Sequence, residues 1–245
     1  SSHPDPYIAK LGVDIEATLR ERYGHSFRAD APDRIAFRSA AMLGDYFLGP
    51  SEATRPDGSI RFLVDQDMIR RHRGLLGSRP RGVELPHWLA EMGTIQSEFL
   101  LDFGSFRDLQ RHRNGTIRMP MLTTRLGFHP WYLAELPDDV RAEAGALLDE
   151  QASAIRGMML DPVTAQSYVA MGYLVGCRVT QSIPAYVYRL ELRSGKTVHP
   201  TLRAIVRREI EWFRHRFPEI ALHTDDDADS WTIRRGLQTI EEKRS

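Results

Sequence analysis

Cysteine is almost absent: the single Cys177 among 245 residues cannot form an internal disulfide, and it gives no thiolate cluster for a metal. Net charge is absent too. Lys+Arg and Asp+Glu number 33 each, so no global field draws in nucleic acid or anionic lipid, and any basic site must be local. No apolar run is long enough to span a bilayer, and the opening residues do not read as a signal peptide. These absences set the expectation of a soluble cytoplasmic protein without membrane or nucleic-acid partners. Nine histidines occur, but without an H-E-x-x-H or clustered Cys/His spacing, so no metal site is expected. No G-x-S-x-G elbow presents a nucleophilic serine. There is no linker, and no repeat beyond a doubled Arg-His-Arg.

What is present fits an ordinary globular chain: 42% hydrophobic and 27% charged residues, enough for a real core. One domain over 1–245 is expected. Ile8, Leu11, Ile15 and Leu19 recur at helical spacing, and 35–47 reads as a second helix. Pro56-Asp57-Gly58 reads as a turn, and 65–76 as a helix carrying Arg71-His72-Arg73. The apolar, aromatic run 98–103 suits a strand, leading through Gly104 and Ser105 into a helix bearing Arg107 to Arg113. A loop over 114–130 follows. The next helix carries Val140, Ala144, Leu147, Leu148, Ile155 and Met159 on one stripe, with Asp138 and Asp139 at its positive end. Asp161-Pro162 predicts the cap and first position of a helix running towards Gly176. Residues 177–183 alternate like a strand, and a short helix ends near Arg193. Leu202, Ile205, Val206, Ile210, Phe213 and Phe217 form a final amphipathic face stopped by Pro218. Asp225-Asp226-Asp227 and 241–244 read as solvated charge. The pattern predicts a helix-rich α+β fold with a central, mainly antiparallel sheet.

The most informative segment runs Phe106-Arg107-Asp108-Leu109-Gln110-Arg111-His112-Arg113. On a helix, Asp108 sits one turn before Arg111 and His112. Two arginines and a histidine leading into Asn114, Gly115 and Thr116 suit phosphate or a flavin, because guanidinium groups bind phosphate in bidentate fashion and loop amides add donors. Standing alone, the same residues would read as a charged helix face.

The segment resembles the signature of flavin-dependent thymidylate synthases, in which a strand and a helix ending in Q-x-x-R-H-R precede a loop and then E-x-S-x-R-Y. Met121-Leu122-Thr123-Thr124-Arg125-Leu126 stands where that second motif falls. A further stretch, Leu190-Glu191-Leu192-Arg193 with His199, Arg203 and Glu209, is similar to the family's L-x-L-R…H-A-Q-x-E segment; alone, Arg193 would read as a helix C-cap. The resemblance is strongest over 98–218. It implies that Arg111, His112, Arg113 and Ser182 bind FAD. It also implies that Asp108, Thr123, Arg125 and Gln166 bind a nucleotide substrate, and that Arg193 polarises the substrate ring. Methylenetetrahydrofolate and NADPH would be co-substrates, and the assembly a homotetramer whose sites gather residues from several subunits.

The departures point to an altered substrate. Met121 replaces a glutamate and Leu126 a tyrosine, Gln166 falls where an arginine binds phosphate, and Ser182 and Pro184 replace an asparagine and an arginine. A flavin- or nucleotide-binding relative that has lost thymidylate synthesis is therefore the alternative. Arg71-His72-Arg73, with Ser78 after it, is a competing match to the first motif, without the flanking strand.

Overall fold

The computed structural model describes residues 58–227, together with Lys10 and Val13. Contacts divide the chain into two units, Ser1–Asp45 and Tyr46–Ser245, and the elements below lie in the second. The helices expected over 8–19 and 35–47, the turn before Gly58 and the charged end over 241–244 fall outside the described residues, apart from Lys10 and Val13.

A four-stranded sheet organises the unit: β1 (Ser59–Val64), β2 (Gly93–Asp102), β3 (Thr116–Arg118) and β4 (Leu174–Ser182), in the order β1-β2-β4-β3 with every pairing antiparallel. Alternation decides which face is buried. Ile95, Ser97, Phe99 and Leu101 of β2 lie buried opposite Gln181, Val179, Cys177 and Val175 of β4. The intervening Gln96, Glu98 and Arg178 remain partly exposed and are joined by polar contacts. Arg61 and Arg178 both bond Glu98, and Gln96 donates to Thr180.

Two helices cover the apolar face. α7 (Ile183–Arg193) begins at Pro184 in its first turn, where the missing N–H costs nothing, and buries Ile183, Tyr186, Val187 and Leu190. α8 (Pro200–Arg216) buries Leu202, Ile205, Val206, Ile210 and Phe213, the stripe expected from the sequence. Phe217 is buried just beyond it. Each large apolar side chain removed from water here contributes about 1.5–3 kcal/mol.

The smaller helices are α1 (Gln66–Arg71), α2 (Arg73–Gly77), α3 (Phe103–Leu109), α4 (Pro130–Ala134), α5 (Asp138–Gly157) and α6 (Pro162–Ala165). Several differ from expectation. The helix expected over 65–76 breaks at His72, whose ring packs 4.8 Å from that of Trp88. The helix expected to carry Arg107 through Arg113 stops at Leu109, so Arg111, His112 and Arg113 stand in the loop beyond it. That loop leads into β3, where the sequence predicts only loop over 114–130. Asp161 caps α6 by accepting from the N–H groups of Val163 and Thr164, as expected, but the helix ends at Ala165 and a 3-10 turn follows. α5 forms where the stripe placed it, yet little of that stripe is covered. Leu148 packs against a small second core of Ala152, Val169 and Tyr173, while Val140, Leu147 and Met159 face solvent. Among the described residues no helix is long and apolar enough to cross a membrane.

Candidate functional site

β2 ends at Asp102, which is fully buried and caps α3 by accepting from the Ser105 N–H at 2.8 Å. α3 then carries Asp108 in its last turn and delivers Arg111 to Arg113. The His112 N–H donates to Leu109 O at 2.9 Å, curling the loop back on the helix end. Gly115 follows with φ 137°, a region open to glycine, and an added Cβ would lie 2.5 Å from Gln181 Cγ. Gln181 Nε2 meanwhile donates to Asn114 O at 3.1 Å. The loop is therefore seated directly on β4.

The last turn of α7 meets this loop. Arg193 Nε donates to His112 Nε2 at 2.9 Å, and another Arg193 nitrogen donates to Asp108 O at 2.8 Å. Asp108 also faces Arg111, 3.4 Å from its Nε. Because His112 Nε2 accepts, its proton sits on Nδ1 and the ring is neutral. Burial, then the charges of Arg193 and Arg189, push its pKa down to about 4. Burial also pulls the Arg193 guanidinium below its ordinary value, against the stabilising charge of Asp108. Asp108, Arg111, His112 and Arg193, all singled out from the sequence, thus form one cluster. Arg113 is exposed beside it.

A cavity of about 630 Å³ lies alongside. Asn114, Ser182, Pro184 and Tyr188 line one part, and Arg79, Arg81, His87 and His223 supply positive or titratable groups. Tyr188 links cavity and cluster, its ring lying 6.0 Å from that of His112. Ser182 begins α7 without spending its hydroxyl on a capping bond. Arg79 is buried against Glu191, one of its nitrogens donating to Glu191 Oε2 at 3.3 Å, while its Nε has no partner among the described residues. The sequence assigns no site role to Arg79, Glu191 or His223. A buried arginine next to a Pro-Arg-Gly turn leaves no periodic signal.

The remaining expected residues gather elsewhere. Gln166 Oε1 accepts from the Leu122 N–H at 3.0 Å, pinning the 121–126 loop. Thr123 Oγ1 accepts from the Arg125 N–H at 3.0 Å, and the Arg125 side chain is exposed. Among the described residues no hydrogen bond or ion pair joins Thr123, Arg125 or Gln166 to the Arg193 cluster. The competing Arg71-His72-Arg73 sits at the break between α1 and α2, with both arginines exposed.

A buried polar network lies behind α3. Asp102 accepts from Tyr132 Oη at 2.9 Å and from Thr201 Oγ1 at 2.5 Å. Thr201 Oγ1 and Ser105 Oγ lie 2.9 and 3.3 Å from His199 Nδ1. Burial lowers the His199 pKa, partly offset by Asp102 and Asp108. Burial, with Asp102 beside it, raises that of Tyr132. His199 was noted from the sequence; Asp102 was not, although an Asp three residues before Ser105 at a helix start is a capping signal.

No protein-family model matches the chain. Among curated proteins it is similar to a UPF0159 protein of Thermoplasma acidophilum, 30% identical over 155 residues, covering 62% of this chain and 29% of the relative. It is also similar to a UPF0159 protein of Chlamydia muridarum, 30% identical over 215 residues, 81% of this chain and 37% of the relative. A UPF0159 protein of Chlamydia pneumoniae is 31% identical over 138 residues, 56% and 23% of the two chains. The chain thus spans between 23% and 37% of the length of these relatives, whose names state no activity.

Proposed function

We propose that this chain is a flavin-dependent transferase acting on a uridylate-like nucleotide, in the manner of the flavin-dependent thymidylate synthases that its sequence resembles. The observation carrying this reading is the bond from Arg193 to His112, which joins the two resembling segments across 81 positions of sequence. A chance likeness in two short motifs gives no reason for them to touch.

The residues at hand suit a flavin. The cavity is within the range of about 300–1,000 Å³ of small-molecule sites. Val83, Leu85, Val187 and Leu192 offer apolar wall for a ring system, and the orphaned Arg79 Nε offers a donor. Arg111, His112, Arg113 and Ser182 would hold FAD, which when bound supplies the redox chemistry. Arg193 is the fixed cation for a ring that gains negative charge, held in aim by Asp108 and by neutral His112. The neutrality of His112 matters here, since a second cation would push Arg193 away. Thr123 and Arg125 would grip the substrate phosphate, with Gln166 fixing their loop. Their separation from Arg193 within one chain fits a homotetramer in which neighbouring copies complete each site. Methylenetetrahydrofolate and NADPH would serve as one-carbon and electron donors.

A second reading, a relative with a different substrate or no catalysis, is favoured by one observation. Gln166 already spends its carbonyl on Leu122 N–H and brings no charge to a phosphate. Losing one charge-assisted contact costs about 1.5–3 kcal/mol, roughly ten- to a hundredfold in affinity.

The test is direct. Purified protein should be yellow and release FAD on denaturation, and the Arg111→Ala/Arg113→Ala variant should lose flavin while keeping its circular dichroism. Retention of flavin by that variant, with loss in Arg71→Ala/Arg73→Ala, would move the site to the other motif. Calorimetry with dUMP on flavin-loaded protein then separates the two readings: tight binding with tritium release from C5 means thymidylate synthesis, and weak or no binding means a changed substrate.

A further inference from the structure

Position 166 is where the family that this sequence resembles places a phosphate-binding arginine, and here the glutamine is otherwise engaged. Its Oε1 accepts from the Leu122 N–H, so it fixes the 121–126 loop and brings no charge. Two residues along that loop Thr124 is buried, and its hydroxyl meets an arginine from another element. Arg156 Nη1, in the last turn of α5, donates to Thr124 Oγ1 at 3.5 Å. Tyr173 locates the same guanidinium. Burial raises the Tyr173 pKa and Asp149 adds to that, while the charge of Arg156 works against both. Arg156 is therefore turned back towards Tyr173 and the loop, with the rest of the residue open to solvent.

The same loop carries Arg125. Gly127 N–H donates to Thr124 O at 3.2 Å with φ 82° at Gly127, and Thr123 Oγ1 accepts from the Arg125 N–H. The Arg125 backbone is thus held in a turn while its side chain is exposed. Among the described residues neither Arg125 nor Arg156 has a carboxylate within ion-pair distance. Arg141, near the other end of α5, is different: Asp138 holds it at 2.9 Å, and the carbonyls of Leu133 and Leu136 accept from it. The helix dipole accounts for a basic residue in the last turn of α5. It does not account for a contact with a buried hydroxyl 32 positions away. Two uncompensated guanidinium groups fixed to one short loop match the charge of roughly −1.5 to −2 on a phosphate monoester at neutral pH. A carboxylate would balance only one of them.

We infer that Arg156 joins Arg125 in gripping a phosphate monoester on the substrate, and so supplies from α5 the charge that Gln166 does not bring. This rests on the nucleotide-binding reading above. It adds a residue outside the resembling motifs and the requirement that the substrate be phosphorylated.

Calorimetry on the purified protein should show dUMP binding more tightly than deoxyuridine. Arg156→Gln should weaken dUMP by about ten- to a hundredfold, leaving deoxyuridine, circular dichroism and flavin absorbance unchanged. Arg156→Lys should recover part of that loss, and Arg141→Gln should leave dUMP binding intact. Ribose 5-phosphate carries the phosphate without the ring, so its phosphorus NMR signal should shift on the parent protein and not on Arg125→Gln/Arg156→Gln. An Arg156→Gln protein that binds dUMP like its parent overturns the inference. Equal loss of dUMP and deoxyuridine overturns it too, since that marks a merely structural role. Absence of any ribose 5-phosphate shift on the parent also overturns it, whether or not the protein is yellow. A ribose 5-phosphate shift that needs both arginines, without dUMP binding, upholds the grip and sinks the uridylate reading instead.

Discussion

Arg189 and Glu209 face each other in the interior through two parallel charge-assisted hydrogen bonds of 2.7 and 2.9 Å. Neither side chain is more than 4% exposed. The third guanidinium nitrogen, Arg189 Nε, donates to Gln181 Oε1 at 2.8 Å, and Gln181 in turn holds Asn114 O. The pair therefore anchors the loop that carries Arg111 to Arg113, and Tyr186 Oη adds a donor to Glu209 at 3.2 Å.

Removing one partner leaves a charge in the core without its counterion, so Glu209→Gln should cost about 3–5 kcal/mol in urea unfolding. Arg189→Met/Glu209→Leu, which removes both charges, should cost less than Glu209→Gln. A double variant less stable than the single one would show that the pair contributes net stability beyond mutual compensation.

His112 makes stability pH-dependent in a defined window. Its pKa is about 4 in the folded chain and near 6.5 unfolded, so the unfolded chain binds the extra proton first. The stability it contributes is complete above pH 6.5, falls as pH drops towards 4, and is flat below. The loss should approach about 2–3 kcal/mol. Urea melts at pH 7.5 and 5 should show wild type losing more than His112→Gln; equal losses would mean His112 titrates normally.

Gly115→Ala should cost about 2–4 kcal/mol, since φ 137° disfavours any side chain and the new Cβ would press within 2.7 Å of Thr180 O. If the proposed flavin site is right, flavin retention should fall as well, because Asn114 and Arg113 are the residues displaced. Thermal unfolding and flavin absorbance measure the two effects separately.

At Asp102, three donors converge on one carboxylate: Ser105 N–H, Tyr132 Oη and Thr201 Oγ1. Asp102→Asn puts an NH₂ group among donors and should cost about 1–3 kcal/mol. Asp102→Asn/Tyr132→Phe should recover part of it, as read from the urea midpoint.

The sequence made α7 and α8 legible because their apolar residues sit at helical spacing, with Pro184 marking the start of one and Pro218 the stop of the other. The strand over 98–103 was visible for the same reason, as a dense apolar run, though its first half, 93–97, was not. β3 is three residues on a sheet edge, too short for alternation to register, and β1 was passed over entirely. Periodicity gave the α5 helix but not its exposure, since a stripe shows what could be covered and not what covers it. The cluster of Asp108, Arg111, His112 and Arg193 was readable only through motif likeness; nothing in spacing alone brings position 112 to position 193. Glu209 had a signal of its own: it falls on the buried stripe of α8 between Val206 and Ile210, where a carboxylate needs a buried cation.

The sheet order also sets a timetable for synthesis. β1 and β2 are neighbours in the chain and can pair early, but β2 needs β4, and His112 needs an arginine 81 positions later. Closing a span of that length costs about 4 kcal/mol of chain entropy before any contact repays it. At roughly 5–20 residues per second, the ribosome delivers that arginine some 4–16 s after the histidine. For that interval Ile95, Phe99 and Leu101 form an unpaired apolar strand edge on a nascent chain. That edge finds its partner only when translation has delivered β4.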